Sequence, residues 1–276
     1  MSAGTTPALH PATEYLLLTL FFSALLYLTA KHYPLVTTAL VAASALMFVA
    51  CLWAAQQLLG RRSAGLFAVL SIAIGWFAEE MGSAHGWFFG RYSYTDVLGI
   101  QLGNVPLVIP IMWFALCFVG YVMASLMLWR QPVHTSPGRR CAALTAFLAA
   151  MIVTAFDLGA DPYFVFVLKA WIMTKKDGGW FGETLQGFAG WMLIGGLIVA
   201  AFQAIAAPKT QAPVSQGNRL ALFIPLGIYA GELVFQTVYG HPVEVRAVAF
   251  FAMGIPLMAA GVAAWQWQAR PRSTAA

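Results

Sequence analysis

Residues 106–129 read PLVIPIMWFALCFVGYVMASLMLW, with no charged side chain anywhere in the run. About 20 such residues, wound as a helix, cross the ~30 Å hydrocarbon layer of a bilayer, so this segment predicts a membrane-spanning helix. Working outward, comparable runs bounded by charge or proline lie at Glu14–Ala30, Pro34–Leu59, Ala64–Glu79, Cys141–Phe156, Thr184–Ala206, Arg219–Tyr239 and Val245–Gln268. Together they make eight. A ninth stretch, Tyr163–Met173, is too short to cross and carries Lys169, which reads as a re-entrant or interfacial segment. The runs are continuous rather than alternating, which excludes a lipid-embedded β-barrel.

Composition agrees with this reading. Of 276 residues 61% are hydrophobic and 9% charged, too few charges to cover the surface of a soluble domain. The expected architecture is an all-α polytopic membrane bundle of about eight helices, a single integral domain over 1–276 with tails at 1–13 and 270–276. The basic excess, +5, fits membrane loops and does not imply a nucleic-acid partner. Cys51, Cys117 and Cys141 stand singly, without CxxC spacing, and read as small packing residues. The apolar run after Glu14 has no basic region before it and no clear cleavage site, so no secretory signal is recognisable.

Eight crossings put both termini on one face. That face then carries Arg61, Arg62, Arg130, Arg139, Arg140, Lys209, Arg219, Arg270 and Arg272, against Lys31, Arg91, Lys169, Lys175, Lys176 and Arg246 on the other. The imbalance predicts cytoplasmic termini in the cell (inner) membrane. Carboxylates divide far more sharply: only Glu14 belongs to the terminal face, whereas Glu79, Glu80, Asp96, Asp157, Asp161, Asp177, Glu183, Glu232 and Glu244 map to the opposite face or the helix ends below it. Ionisable groups at membrane depth are costly, and this clustering predicts a polar pocket there.

Three segments could line it. In AEEMG (78–82) Glu79 shares a helix face with Gly75 and Gly82, a groove where another helix or a ligand can come close, while Glu80 is turned away by ~100°. Asp157 and Asp161, in TAFDLGADP (154–162), are four apart and share a face; Pro162 predicts that they straddle the helix terminus. Two carboxyl groups so close in a partly dry site share a proton, which would supply a general acid. The aromatic stretches FFGRYSYTDVLG (88–99) and 169–191, with Trp171, Trp180, Phe181, Glu183 and Trp191, supply ring faces that hold a cation by ~0.5–2 kcal/mol each. Arg91 and Asp96 are expected to pair with each other or with a nearby carboxylate. The same aromatic residues would also serve as an interfacial belt.

The sequence lacks a GxGxxG βα unit and a P-loop, and its five histidines are scattered. The last two spans hold no lysine for a retinal. Asp157 and Asp161 resemble half of the magnesium site of membrane prenyltransferases, without the second aspartate-rich half.

Taken in order, AEEMG, FFGRYSYTDVLG, VPLVIPIMWF (105–114), TAFDLGADP and GGWFGETLQGFAGW (178–191) resemble the carotenoid biosynthesis membrane family, which includes a hydratase of ψ-end carotenoids. The resemblance runs from about Trp76 to Trp191, with weaker agreement at Gly231 and Glu232. It implies addition of water to the terminal double bond of an acyclic carotenoid drawn from the bilayer, with no cofactor or metal. Glu79, Asp157 and Asp161 would be catalytic, with Asp157 or Glu79 as the proton donor and Asp161 as the ionised carboxylate that steadies the cation and orients water. Trp76, Tyr92, Tyr94, Trp171, Trp180, Glu183 and Glu232 would bind the substrate, as would Arg91 and Asp96, which would close the site from one layer further out. Partners would be membrane lipid and other carotenoid-pathway enzymes. A prenyltransferase, a proton-coupled transporter and a non-catalytic assembly factor are the alternatives.

Overall fold

A computed structural model describes residues 11–134, 138–174, 178–181, 184–206 and 216–269. Lys175, Lys176, Asp177, Glu183, Lys209, Arg270 and Arg272 lie outside the described residues, as do most of both tails.

Among the described residues eight helices form, each long and apolar enough to span a membrane: α1 (Pro11–His32), α2 (Leu35–Leu59), α3 (Arg61–His85), α4 (Val108–Trp129), α5 (Arg139–Tyr163), α6 (Leu185–Ala206), α7 (Gln216–Tyr239) and α8 (Glu244–Gln268). Their boundaries follow local chemistry. Pro34 stands between α1 and α2, where its missing N–H costs nothing. A single residue, Gly60 at φ +80°, separates α2 from α3, a conformation that a side chain would strain. Gly86, in the left-handed region, closes α3 by donating its N–H to Gly82.

At the centre stands α4, buried on every side along most of its length, as its all-round apolar sequence requires. Six helices ring it in the order α2, α3, α6, α5, α8, α7 and back to α2, and α1 packs outside on α2. Glu14 fastens α1 to that ring on the terminal face, accepting from Arg61 at 2.5 Å and from Gln56 at 2.6 Å. Small residues set the helix spacing, since lipid gives no hydrophobic drive for one helix to join another. At Gly120 on α4, a Cβ would stand 2.8 Å from the Ala149 carbonyl of α5. Large apolar side chains such as Phe250, Phe251, Ile255 and Met258 face outward from α8, where lipid would receive them.

The opposite face carries the irregular structure. Three-residue strands β1 (Tyr92–Tyr94) and, from the α5–α6 connection, β4 (Trp171–Met173) pair antiparallel, Tyr92 opposite Met173 and Tyr94 opposite Trp171. Between β1 and α4 lie a helical turn (Asp96–Leu98) and the two-residue hairpin of β2 (Gln101–Leu102) and β3 (Val105–Pro106). The short ninth stretch divides in two: residues 164–168 continue α5 as a wider turn, then Lys169 adopts a left-handed conformation and the chain reverses into β4.

Two helix ends differ from expectation. α3 continues past Glu79 to His85, placing Glu79 ~9 Å inside the helix, because Gly86 rather than the carboxylate pair ends it. α5 runs through Pro162 to Tyr163, so Asp157 and Asp161 lie within the helix and do not straddle its end. Proline removes the N–H that would bond the Leu158 carbonyl, and the Trp180 indole N–H takes its place at 3.0 Å.

Gly120→Ala is expected to cost about 1–3 kcal/mol by forcing α4 from α5. Gly227→Ala, inside α7 where a Cβ meets nothing within 4 Å, should instead stabilise by about 0.5–1 kcal/mol. Denaturation in detergent measures both.

Candidate active site

The groove read at Glu79 is filled. At Gly75 a Cβ would lie 2.7 Å from the Trp113 ring, and at Gly82 it would lie 3.0 Å from Phe89 and 3.1 Å from the Tyr92 hydroxyl. Because both positions lack side chains, Trp113 of α4 and Tyr92 of β1 reach the carboxylate between them. Trp113 Nε1 donates to Glu79 Oε1 at 2.9 Å, Tyr94 donates to Oε2 at 2.8 Å, and Tyr92 donates to the same oxygen. Glu79 is only 5% exposed. Three neutral donors thus meet one carboxyl group, the satisfaction a buried polar group demands.

Burial first, and then the Glu79 carboxylate beside it, hold the Tyr94 phenol well above its ordinary value, so it remains a donor. Trp113 is in turn stacked on Trp191 of α6, centroids 4.5 Å apart.

From α5, Asp157 and Asp161 are buried, and Asp161 Oδ1 accepts from Trp171 Nε1 at 2.8 Å. Trp171 lies parallel to Phe164, 5.1 Å away. Side chains alternate across a strand, so the ribbon turns Tyr92, Tyr94, Trp171 and Met173 inward and Ser93 and Ile172 outward. Ribbon and helices together form a partly open cavity of about 110 Å³, lined by Glu79, Asp157, Asp161, Tyr92, Tyr94, Trp113, Trp171, Trp191 and apolar neighbours, with Leu40 and Ser44 of α2.

The sequence-derived set therefore divides. Glu79, Asp157, Asp161, Tyr92, Tyr94 and Trp171 converge on one cavity. Trp76 does not line it; its indole N–H bonds the Leu102 carbonyl of the β2–β3 hairpin at 3.1 Å. Trp180 serves the Leu158 carbonyl. Arg91 and Asp96 are exposed outside the cavity, and no ion pair joins them: Arg91 lies along Gly86 and Asp96 begins the turn after β1. Glu232, half-buried on α7, is also outside the lining. Glu80 points elsewhere, accepting from the Asn104 backbone and side-chain N–H groups at 2.8 Å each.

Trp113 was not among the sequence candidates. Its signal was a tryptophan in the first half of an apolar span, whose N–H needs a partner once buried, opposite a glycine-flanked glutamate that needs a donor.

A family model for carotenoid biosynthesis proteins matches residues 32–260. The chain belongs to the carotenoid biosynthesis protein family. Over 144 residues this carotenoid biosynthesis protein is 31% identical to the bisanhydrobacterioruberin hydratase of Haloarcula japonica. That match covers 51% of this chain and 45% of the hydratase, so the chain matches under half the length of that relative. No solved structure matches it. The family match contains every residue of the cavity lining.

Two outcomes follow from this geometry. Trp180→Phe should cost about 0.5–1.5 kcal/mol, and little in a Pro162→Ala background, where a restored backbone N–H serves Leu158; a double-mutant cycle measures the coupling. Unfolded chain ionises a tyrosine near pH ~10 whereas folded Tyr94 keeps its proton. Its contribution is therefore whole below about pH 10 and falls as the pH climbs toward the folded value. Tyr94→Phe should flatten that alkaline fall in thermal melts.

Proposed function

We propose that this protein is a carotenoid hydratase, adding water across the terminal double bond of an acyclic, ψ-end carotenoid to leave a tertiary alcohol. The observation that carries the reading is the meeting of carboxyl groups from α3 and α5 in one aromatic-walled cavity. An unactivated trisubstituted alkene needs a strong proton donor, a stabilised tertiary cation and a delivered water.

Asp157 is the donor. The Asp157–Asp161 pair, one turn apart, shares a proton that Asp157 gives to the less substituted alkene carbon. The π pair forms the new C–H bond, and positive charge falls on the carbon bearing two methyl groups. Glu79, fixed by its three donors, and the faces of Trp113, Tyr92 and Tyr94 oppose that charge. Preorganised negative charge in a dry cavity outweighs the rings, which supply ~0.5–2 kcal/mol each. Water adds to the cation, and the proton it sheds returns to Asp161, whose orientation Trp171 sets. The Asp pair is thereby reprotonated, and the sum is alkene plus water.

Size supports the same reading. At about 110 Å³ the cavity is smaller than the ~150 Å³ that holds a benzene ring, so it would take only the branched tip of an isoprenoid while the polyene rod stays in the bilayer. Lipid is accordingly the source of substrate, in a cell membrane with cytoplasmic termini.

Expressed in cells that make an acyclic ψ-end carotenoid, the protein should yield pigment heavier by one water. Asp157→Asn and Glu79→Gln should each reduce that product by at least ~100-fold at equal membrane abundance. Absence of any hydrated pigment from every acyclic substrate tried would overturn the reading, and conversion dependent on a diphosphate donor would reassign the protein to prenyl transfer.

A further inference from the structure

Beside the carboxylate cavity lies a second, larger hollow of about 590 Å³ on the loop-rich face. Its character is different. Arg91, Thr174, Thr184 and Gln186 place polar groups among its apolar neighbours, and Gly86 and Gly90 expose backbone to it. Such groups can hold water, whereas the inner cavity is lined more heavily by rings and aliphatic groups. The two spaces share two lining residues, Phe89 and Met173.

These two differ in freedom. Phe89 is 5% exposed and clamped: a Cβ at Gly190 would lie 2.7 Å from its ring and a Cβ at Gly82 3.0 Å from it, so α6 and α3 press on it from both sides. Met173 is half-buried at the last position of β4, opposite Tyr92, and thioether side chains turn readily about three bonds. One wall is fixed and the other can move.

We propose that Met173 is a gate through which water passes from the polar hollow to the carboxylate cavity. This rests on the hydratase reading for its purpose: each turnover consumes one water, yet a permanently flooded cavity would weaken the charges that hold the cation. A swinging Met173 meets both demands, admitting water beside Tyr92 and closing over the cavity afterwards. Met173 does not touch the reacting atoms in this scheme; it is a positioning residue for the second substrate.

The test measures water access directly. The full chain carries Cys141→Ser and, in separate proteins, Ser44→Cys inside the cavity or Thr174→Cys in the hollow. In lipid nanodiscs, a small water-soluble methanethiosulfonate is added and the modification rate followed by mass. Met173→Ala should speed modification of Ser44→Cys on the order of tenfold, the change that ~1.4 kcal/mol in opening gives. Met173→Phe should slow it, and Thr174→Cys should react alike in all three backgrounds, which also shows that the variants keep the fold. A Ser44→Cys rate indifferent to Met173 while Thr174→Cys reacts overturns the gate, as does a Thr174→Cys that the reagent never reaches. Because this readout needs no turnover, a gated rate with no hydrated pigment would uphold the water path and sink only the hydratase reading.

Discussion

A carboxylate inside a membrane protein must find its hydrogen bonds within the protein, because lipid offers none. Around Glu79 that requirement organises three separate parts of the chain. Gly75 and Gly82 clear the helix face on either side, α4 brings Trp113, and the loop after α3 folds back so that Tyr92 and Tyr94 can donate. The ribbon of β1 and β4 gives those tyrosines a rigid support at that spot. Its second strand, from beyond α5, brings Trp171 to Asp161 by the same pairing. One small strand pair thus ties both carboxyl stations to a single roof.

A backbone defect plays the matching part on α5. Pro162 leaves the Leu158 carbonyl without its usual partner, and Trp180 repairs the loss from outside the helix. With the helix carried through, Asp157 and Asp161 remain one turn apart on the same face, which geometry demands if they are to share a proton. The wider turn that follows lets the chain reverse at Lys169 within a few residues and enter β4. Pocket and fold are therefore not separable: the β1–β4 ribbon and the wider turn at 164–168, which interrupt the helical pattern, both line the cavity.

Much of this was legible in the sequence, and the reasons for the rest are specific. Eight spans could be counted because helix length and bilayer thickness leave few alternatives, and the glycine-flanked Glu79 announced a groove. Helix ends were less legible where the deciding partner lay far away in sequence, as Trp180 does for Pro162. Strands of three residues carry too little alternation to be seen. Trp76 and Trp180 were plausible ring faces by composition, yet each spends its N–H on a backbone carbonyl. Arg91 and Asp96 looked like a pair only because opposite charges near in sequence invite it; the positive-φ turn at Gly90 and the strand between them send them apart. Trp113 was hidden by lying in the most uniform span of all, where only its indole N–H sets it apart from its apolar neighbours.

What unites these features is a single physical idea, that acid groups from α3 and α5 face one small, largely apolar space. A cryo-EM structure of the protein with an acyclic ψ-end carotenoid bound tests it most directly. The account predicts the branched terminus between Glu79 and the Asp157–Asp161 pair, with the polyene leading out into lipid. Density for that terminus elsewhere, with the cavity beneath the β1–β4 ribbon left empty, would contradict it.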